Sequence, residues 1–330
     1  MAEDPPTPNV VLEIEQDISE LTKLPLEIAQ LVYGKIDMID RFRLRKVCRT
    51  LKQTMDNMAV NYQLLRIRAT DDCFIIWYDT NRVEYRGTEI GCEVQREDQN
   101  TTVFPGMDYV EMAKFDLETV LSNTRAHFLD FDIDFQCEMP NILALRRITA
   151  LMQEIKQRNN IGFSVKSLNI EVNELIDYMT IVDMMRCDQL EEIRTDIFPS
   201  DPLCLTLISD MDQWKGLKKL SIKCNNLVID EFDAFANLEE FTTEFLFEFQ
   251  EVEELLNILE RSSNFKECTL KFPYCNVRKL GTALNAEIHF GLYGSHQRPI
   301  PGTDDYLRCR LSVYETEIKK KSIHDPPFTD

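Results

Sequence analysis

Near its amino end the chain has apolar residues at the three- to four-residue spacing of amphipathic helices. A first helix is predicted to begin at Leu24, and Pro25 suits its first turn because proline has no N–H to leave unpaired. The apolar stripe of this helix is Leu24, Ile28, Leu31, Val32 and Ile36. A second segment has apolar Leu44, Val47, Cys48, Leu51 and Met55, bordered by Arg43, Lys46, Arg49 and Lys52. Helices this short cannot bury all of their apolar surface alone, so we expect this module to bind a partner.

The pattern changes to alternation between residues 62 and 104. Apolar and polar residues alternate over 65–67, 73–77, 83–85 and 92–94, and polar or glycine-containing turns separate these segments. This alternation predicts an antiparallel meander of three or four short strands. We expect the meander to pack between the helical module and the part of the chain that follows.

One six-residue template recurs in the second half of the chain. Its copies are Val165-x-x-Leu168-x-Ile170, Leu190-x-x-Ile193-x-Thr195, Leu217-x-x-Leu220-x-Ile222, Leu238-x-x-Phe241-x-Thr243 and Phe265-x-x-Cys268-x-Leu270. The middle residues of these copies are 25, 27, 21 and 27 positions apart, and Phe128-x-x-Phe131-x-Ile133 is an earlier, more widely spaced candidate. The helical stripes between copies are Leu145, Ile148, Met152 and Ile155, then Leu175, Met179 and Val182, then Val252, Leu255, Leu256 and Leu259.

A strand followed by a helix at this period predicts a solenoid like that of leucine-rich repeats. In such a solenoid each strand–helix unit exposes an apolar edge that the next unit covers. Two features depart from true leucine-rich repeats: threonine takes the last apolar position in two copies, and an asparagine ladder is not evident. An ordinary α/β domain with alternating strands and helices is therefore the alternative.

The charge is unevenly distributed along the chain. The net charge is −20, which disfavours nucleic acid and anionic membrane as main partners. Residues 21–70 contain ten Lys or Arg and four Asp or Glu, a sum of 10 − 4 = +6, so the remainder has −26. We expect this basic part to attract an acidic partner surface, with a merely solvated helix face as the alternative.

The composition indicates a protein of a reducing compartment. The ten cysteines include no CxxC pair, and the four histidines add no closely spaced metal ligands, so free thiols are expected. No apolar run is long enough to span a bilayer, and the amino end has no pattern of a secretory signal. These features predict an intracellular protein of the cytoplasm, the nucleus or both, with mobile residues 1–20.

Motifs of catalysis are absent from the sequence. There is no glycine-rich phosphate loop, no GxSxG and no HExxH. Asp130, Asp132 and Asp134 alternate on one strand face and suggest either a metal site or the solvated face of an edge strand. A metal site would need further ligands and a turn glycine, so we favour the edge strand. The sequence predicts that the protein is not an enzyme and that it binds no cofactor and no resident metal.

The first helical module resembles the F-box, the domain that binds the Skp adaptor of SCF ubiquitin ligases. The resemblance rests on Leu24-Pro25-x-Glu27-Ile28-x-x-x-Val32-x-x-x-Ile36 followed by Leu44-x-x-Val47-Cys48-Arg49. Two departures are Tyr33, where a branched aliphatic is usual, and Leu51, where tryptophan is common. Further along, Gln213-Trp214-Lys215-x-Leu217-Lys218-x-Leu220-x-Ile222 is similar to the FTH domain that follows the F-box in a large nematode family, the F-box A type.

The resemblance implies an α+β or α/β architecture with an N-terminal three-helix F-box, a short antiparallel meander and a leucine-rich-repeat-like solenoid. The expected boundaries are 1–20 for a disordered terminus, 21–62 for the F-box, 63–125 for a linker with antiparallel strands, 126–295 for the FTH domain, and 296–330 for a C-terminal strand and mobile tail. The implied function is that of a substrate receptor in an SCF-type ubiquitin ligase, which binds the Skp adaptor and, through it, cullin. A non-degradative scaffold that tethers a regulatory protein, such as a translational repressor, is the alternative.

Two sets of binding residues are expected. The adaptor-binding set is Leu24, Pro25, Ile28, Leu31, Val32, Ile36, Val47, Cys48, Leu51, Arg43, Lys46 and Arg49. These apolar residues divide between the core of the module and the adaptor groove. The target-binding set flanks the inward strand positions and is Asn169, Glu171, Arg194, Lys219, Ser221, Lys223, Thr242, Glu244, Thr269 and Lys271. A solvated face with target binding elsewhere is the alternative for this second set.

Overall fold

Three short helices precede the first strand in the described chain. The computed structural model describes residues 25–36, 38–45, 47, 49–56, 58–70, 72–96, 100–134, 142–172, 174–197, 203–224, 227–228, 231–244, 249–271, 277–284, 286–289 and 293–325. The helices are α1 (Leu26–Gly34), α2 (Met38–Arg45) and α3 (Arg49–Asp56). The predicted disordered residues 1–20 lie outside the described residues, as do 326–330 at the other end.

The predicted meander is present, with one strand more than expected. Its strands are β1 (Val60–Ala69), β2 (Cys73–Tyr78), β3 (Asn81–Thr88), β4 (Gly91–Arg96) and β5 (Thr102–Pro105), and each pairs antiparallel with the next. The meander does not form a separate layer, because β1 also pairs in parallel with β6 (Ala126–Asp134). It therefore extends the main sheet, where the sequence predicted a spacer between two parts.

Parallel strands form the centre of the molecule. They follow β6 as β7 (Ser164–Val172), β8 (Glu192–Ile197), β10 (Lys219–Cys224), β12 (Glu240–Glu244) and β13 (Glu267–Lys271). Two further strands, β9 (Leu203–Cys204) and β11 (Leu227–Val228), pair with each other in a small separate sheet. Because β6 lies between β1 and β7, the expectation that Asp130, Asp132 and Asp134 mark an edge strand is wrong.

Helices connect the parallel strands and pack on one face of the sheet. They are α4 (Tyr109–Leu121), α5 (Ile142–Asn159), α6 (Leu175–Asp183), α7 (Leu205–Ser209), α8 (Phe249–Arg261) and α9 (Val277–Ala283), with 3₁₀ helices at Asp212–Gly216 and Phe232–Phe235. The predicted stripes face the core: Ile148, Met152 and Ile155 are buried in α5, and all four residues of the α8 stripe are buried. None of the described helices is both long and apolar enough to cross a membrane.

The carboxyl-terminal part closes the sheet with antiparallel strands. These strands are β14 (Glu287–His289), β15 (Tyr293–Pro299), β16 (Asp305–Ser312) and β17 (Glu315–Ser322), where the sequence predicted one strand. The order across the 15-stranded sheet is β14-β15-β16-β17-β13-β12-β10-β8-β7-β6-β1-β2-β3-β4-β5. The fold is therefore mixed α/β, with one large sheet and helices on one of its faces.

The middle positions of the sequence template lie opposite one another in adjacent strands. Phe131 pairs with Leu168, Leu168 with Ile193, and Ile193 with Leu220. The row continues to Phe241 and Cys268. Every member of this row is buried beneath the helices. The equal register means that each strand adds one large apolar side chain to a continuous core.

Three side chains make hydrogen bonds between neighbouring strand–helix units on the helical side of the sheet. The buried Gln213 amide donates to the carbonyl oxygens of Asp183 and Met185 at 3.3 and 3.0 Å. Trp214 Nε1 donates to the Ala234 carbonyl at 2.9 Å, and Ser262 Oγ donates to the Ala236 carbonyl at 2.7 Å. Each bond satisfies a backbone acceptor near the end of a neighbouring helix, where intrahelical partners run out.

A second buried row explains the threonines that depart from the template. Thr195, Thr243 and Thr316 alternate across the sheet with the large aliphatic residues Ile170, Ile222, Leu270 and Leu311. Small and large side chains thus alternate beneath the helices. The three hydroxyl oxygens are buried and have no hydrogen-bond partner among the described residues. A buried hydroxyl without a partner costs about 1–3 kcal/mol of stability.

Thr243→Val should therefore raise the free energy of unfolding by about 1 kcal/mol, because valine keeps the shape of threonine and removes the unpaired hydroxyl. Urea unfolding measures the change. The matched control is Thr242→Val, which alters the preceding residue of β12 on the opposite, partly exposed face and should shift stability by less than about 0.5 kcal/mol. A Thr243→Val variant less stable than the wild type would show that the buried hydroxyl does not carry this cost.

Candidate partner-binding surfaces

The helices α1 to α3 share a small core of their own. Tyr33, Leu51, Met55 and Met58 are buried against one another, with Ile36, Leu44 and Val60 packed at the border. Tyr33, a departure from the F-box pattern, is 1% exposed and lies within this core. Leu51 and Ile36, two of the residues expected to bind the adaptor, face this core as well. Their packing in this core stabilises the module itself.

A stripe of apolar side chains on α1 is left exposed. Ile28, Leu31 and Val32 are 45%, 66% and 40% exposed, and their spacing places them on one face of the helix. Val47, in the turn between α2 and α3, is 47% exposed. Contiguous exposed apolar side chains of this kind mark interaction surfaces in folded proteins. We call Ile28, Leu31 and Val32 the α1 stripe.

The remaining residues of the predicted adaptor set fall into two groups. Pro25 directly precedes α1 and is exposed, and Arg49 is exposed at the start of α3. Leu24, Lys46 and Cys48 lie outside the described residues, and Arg43 lies in α2 with its side chain outside them.

Arg41, absent from the predicted set, donates from Nε to the Ile36 carbonyl at 2.8 Å and from a terminal nitrogen to the Gly34 carbonyl at 2.9 Å. These bonds fix the end of α1 against α2.

Arg45 joins the helical module to helix α4, which packs on the sheet. Its guanidinium donates to both oxygens of Asp56 at 2.6 and 3.1 Å, and to Thr119 Oγ1 of α4 at 3.0 Å. Nearby, the Asn123 amide donates to the Met58 carbonyl at 3.0 Å. Arg45 was not identified from the sequence because its partners lie 11 and 74 positions away. The module is thus tied to the body by the chain and by side chains from α4 onward.

The face of the sheet opposite the helices has polar residues in transverse rows. Asn169, Arg194, Ser221, Thr242 and Thr269 pair across adjacent strands, and so do Glu171, Asp196, Lys223, Glu244 and Lys271. The ten predicted target-binding residues all belong to these two rows except Lys219, which lies in the next row. All of them are exposed or half-buried. We call this surface the open face.

Two adjoining clefts lie on the open face. One, of about 250 Å³, includes Arg194, Lys219, Ser221, Thr242 and Thr269, so it brings together five of the ten predicted target-binding residues. The other, of about 340 Å³, shares Lys219 with the first and extends to strand β6. Short hydroxyl side chains form the floor of the first cleft, and longer charged side chains form its walls. Such a shape suits an extended polypeptide segment.

The charged walls of the clefts are held by ion pairs. Lys219 Nζ lies 2.6 Å from Glu240 Oε2, and this hydrogen bond raises the pKa of Lys219. Lys218 lies 2.7 Å from Glu191 and lowers the pKa of that carboxyl group. Lys219 and Glu191 therefore stay charged around neutral pH. Among the described residues, no three His, Cys, Asp or Glu side chains are grouped so that they could hold a metal ion.

Comparison with known proteins places two domains on this structure. Residues 21–62 match the F-box domain and residues 146–287 match the FTH domain. The chain is also similar to F-box A protein 224 of Caenorhabditis elegans, with 23% identity over 215 residues. That match covers 63% of this chain and 55% of the relative, so the matched part spans little more than half of the relative's length. The α1 stripe lies within the F-box match, and most of the open face lies within the FTH match.

Proposed function

This chain has an F-box domain and an FTH domain, and we propose that it is the substrate-receptor subunit of an SCF-type ubiquitin ligase in the cytoplasm or nucleus. The α1 stripe would bind the Skp adaptor, and the open face would bind a target protein. The observation that carries this proposal is the α1 stripe, an exposed apolar surface on a helix that is already packed on its other side.

The energetics of the α1 stripe suit a protein–protein contact. Full burial of one Leu or Ile side chain is worth roughly 1.5–3 kcal/mol, so three such residues can supply useful affinity after the costs of association. Pro25, which directly precedes α1, and Val47 are exposed as well and add to the apolar surface of the module. The exposed Arg49, together with Arg43 and Lys46, would mainly speed the encounter with an acidic adaptor and orient it.

The receptor would assist ubiquitin transfer by positioning the target protein. F-box proteins are in general non-catalytic adaptors, and the role of such a subunit is to raise the local concentration of a target near the ubiquitin-charged enzyme. This role requires a firm connection between the two binding surfaces. The Arg45 hydrogen bond to Thr119 and the Asn123 hydrogen bond to the Met58 carbonyl supply that connection here, and the pair with Asp56 holds the Arg45 guanidinium in place within the module. We further propose that the strand–helix coils of 126–295 form the solenoid predicted from the sequence, with 21–62 as a three-helix F-box and 63–125 as the connecting segment.

Replacing Ile28 and Leu31 together with serine should weaken binding to a purified Skp-type adaptor by about 100-fold, because two buried apolar contacts are lost. The melting temperature should stay within a few degrees, since both side chains are solvent-exposed in the free protein. Biolayer interferometry measures the affinity. The matched control is Ile176→Ser with Leu207→Ser, two equally exposed apolar residues on α6 and α7. Equal adaptor affinity of wild type and the α1 variant would contradict the assignment.

Enlarging the side chains on the floor of the first cleft should remove target binding without affecting the adaptor. In the Ser221→Gln, Thr242→Gln variant the longer side chains fill the space between the charged walls. Quantitative mass spectrometry after affinity recovery should show adaptor and cullin at wild-type levels and selective loss of target proteins. Ser295→Gln, on β15 of the same face, is the control and should keep the targets.

Proteins that are recovered with the wild type but not with the cleft variant should also accumulate in cells that lack the receptor, because an SCF ligase leads to degradation of its targets. Constant abundance of those proteins, with altered activity or location, would instead indicate the tethering scaffold. Identical recovery of every protein by the wild type and the cleft variant would contradict target binding at this cleft.

A further inference from the structure

Four arginines and a tryptophan share the polar face of the meander, which continues the open face and lies outside both matched domains. Arg66, Trp77 and Arg82 lie side by side on β1, β2 and β3, and the two guanidinium carbons lie 5.8 and 6.0 Å from the centre of the Trp77 ring. Arg68 and Arg86 lie on the same face further along β1 and β3. We call these five residues the Arg–Trp patch.

The carboxylate partners of these arginines lie underneath them. Arg66 pairs with Asp132 at 2.6 Å, Arg68 pairs with Asp134 at 2.6 Å, and Glu84 accepts from both Arg82 and Arg86. The four arginine side chains are 37–53% exposed, whereas the three carboxylate side chains are only 9–15% exposed. The patch therefore presents cations to solvent and keeps its anions below.

Each guanidinium has five N–H donors, and the pairs with Asp132, Asp134 and Glu84 use only part of them. The exposed donors can form bidentate hydrogen bonds with further carboxylates. Tryptophan and arginine are also the residue types that most often dominate the energy of protein interfaces. An acidic ligand could thus add bonds to this patch without breaking the existing pairs.

We propose that the Arg–Trp patch is a docking surface for a short acidic polypeptide segment, whose carboxylates bind the arginines while an apolar or aromatic side chain packs on Trp77. The patch spans about 14 Å along the strands and about 10 Å across them, which suits roughly four residues of extended chain. Glu93 on β4 and Asp72 in the β1–β2 turn border the patch and limit the length of the segment.

The size and the borders of the patch favour a short acidic peptide over nucleic acid. Nucleic acid is a long polyanion whose binding needs an extended basic surface. This patch is small, and Glu93 and Asp72 make its borders acidic. A short segment can meet the arginines without crossing the acidic borders, whereas a nucleic acid strand cannot.

The test uses the full chain without adaptor, so its outcome does not depend on the receptor function. The probe is a five-residue peptide of glutamate with one central phenylalanine and blocked ends, titrated by calorimetry and by tryptophan fluorescence. Trp214 is buried, so a change in emission on binding reports Trp77 and should disappear in Trp77→Phe. Binding should be saturable and should weaken steeply as salt is added.

The decisive variant is Arg82→Gln, Glu84→Gln, Arg86→Gln, which removes two cations together with the buried carboxylate that they share, so no charge is left unpaired. Its affinity for the peptide should fall at least tenfold. The matched control is Lys156→Gln, Arg158→Gln, Glu118→Gln, which makes the same change in charge on helices α4 and α5, away from the open face, and should stay within twofold of wild type.

The proposal would be overturned by no saturable binding to the wild type, by equal loss of affinity in both variants, or by tighter binding of a twelve-nucleotide single-stranded DNA than of the peptide. Circular dichroism of both variants establishes that they are folded. A folded decisive variant with unchanged peptide affinity would likewise exclude the patch as the docking surface.

Discussion

The whole arrangement depends on how the helical module passes into the sheet. β1 begins at Val60, only a few residues after α3 ends at Asp56, and Val60 packs on the border of the core of the module. The same strand then pairs with both β2 and β6, so it belongs to the meander and to the parallel strands alike. Within the described residues, β1 therefore links the α1 stripe directly to the sheet that carries the open face. The position of any bound adaptor relative to any bound target is determined largely by the sheet itself.

The strand register gives the sheet two continuous faces that extend away from this junction. Because the buried rows at Phe131, Leu168, Ile193 and Leu220 are in line, one face of the sheet is continuously apolar and the other continuously polar. The helices cover the apolar face and leave the open face accessible along the parallel strands. Cross-strand ion pairs such as Lys219–Glu240 then fix the charged side chains of that face. A surface with fixed charges can select a partner by its charge pattern.

Local sequence patterns predicted most elements of this fold. The template spacing indicated the parallel strands, and alternation indicated β1 to β4, because both patterns repeat within short windows. Helix α4 was missed, although a local signal was present: Asp108 accepts hydrogen bonds from the backbone N–H groups of Val110 and Glu111 and caps the helix.

The division of the first module into core and exposed residues was not predictable, because Met58 and Val60, which lie beyond its helices, complete that core. Pairs of residues far apart in the sequence could not be predicted either. Arg66 and Asp132 are 66 positions apart, so the Arg–Trp patch can be recognised only once the strand register is known.

The helical module and the sheet are expected to form one rigid body, since β1 and the Arg45 contacts join them. Single-molecule energy transfer tests this most directly, with non-natural amino acids carrying the dyes at Lys35 and Lys271, which are both exposed. We predict one narrow distribution of transfer efficiency, unchanged when a Skp-type adaptor is bound. A broad distribution, or several interconverting populations in the free protein, would contradict a rigid connection.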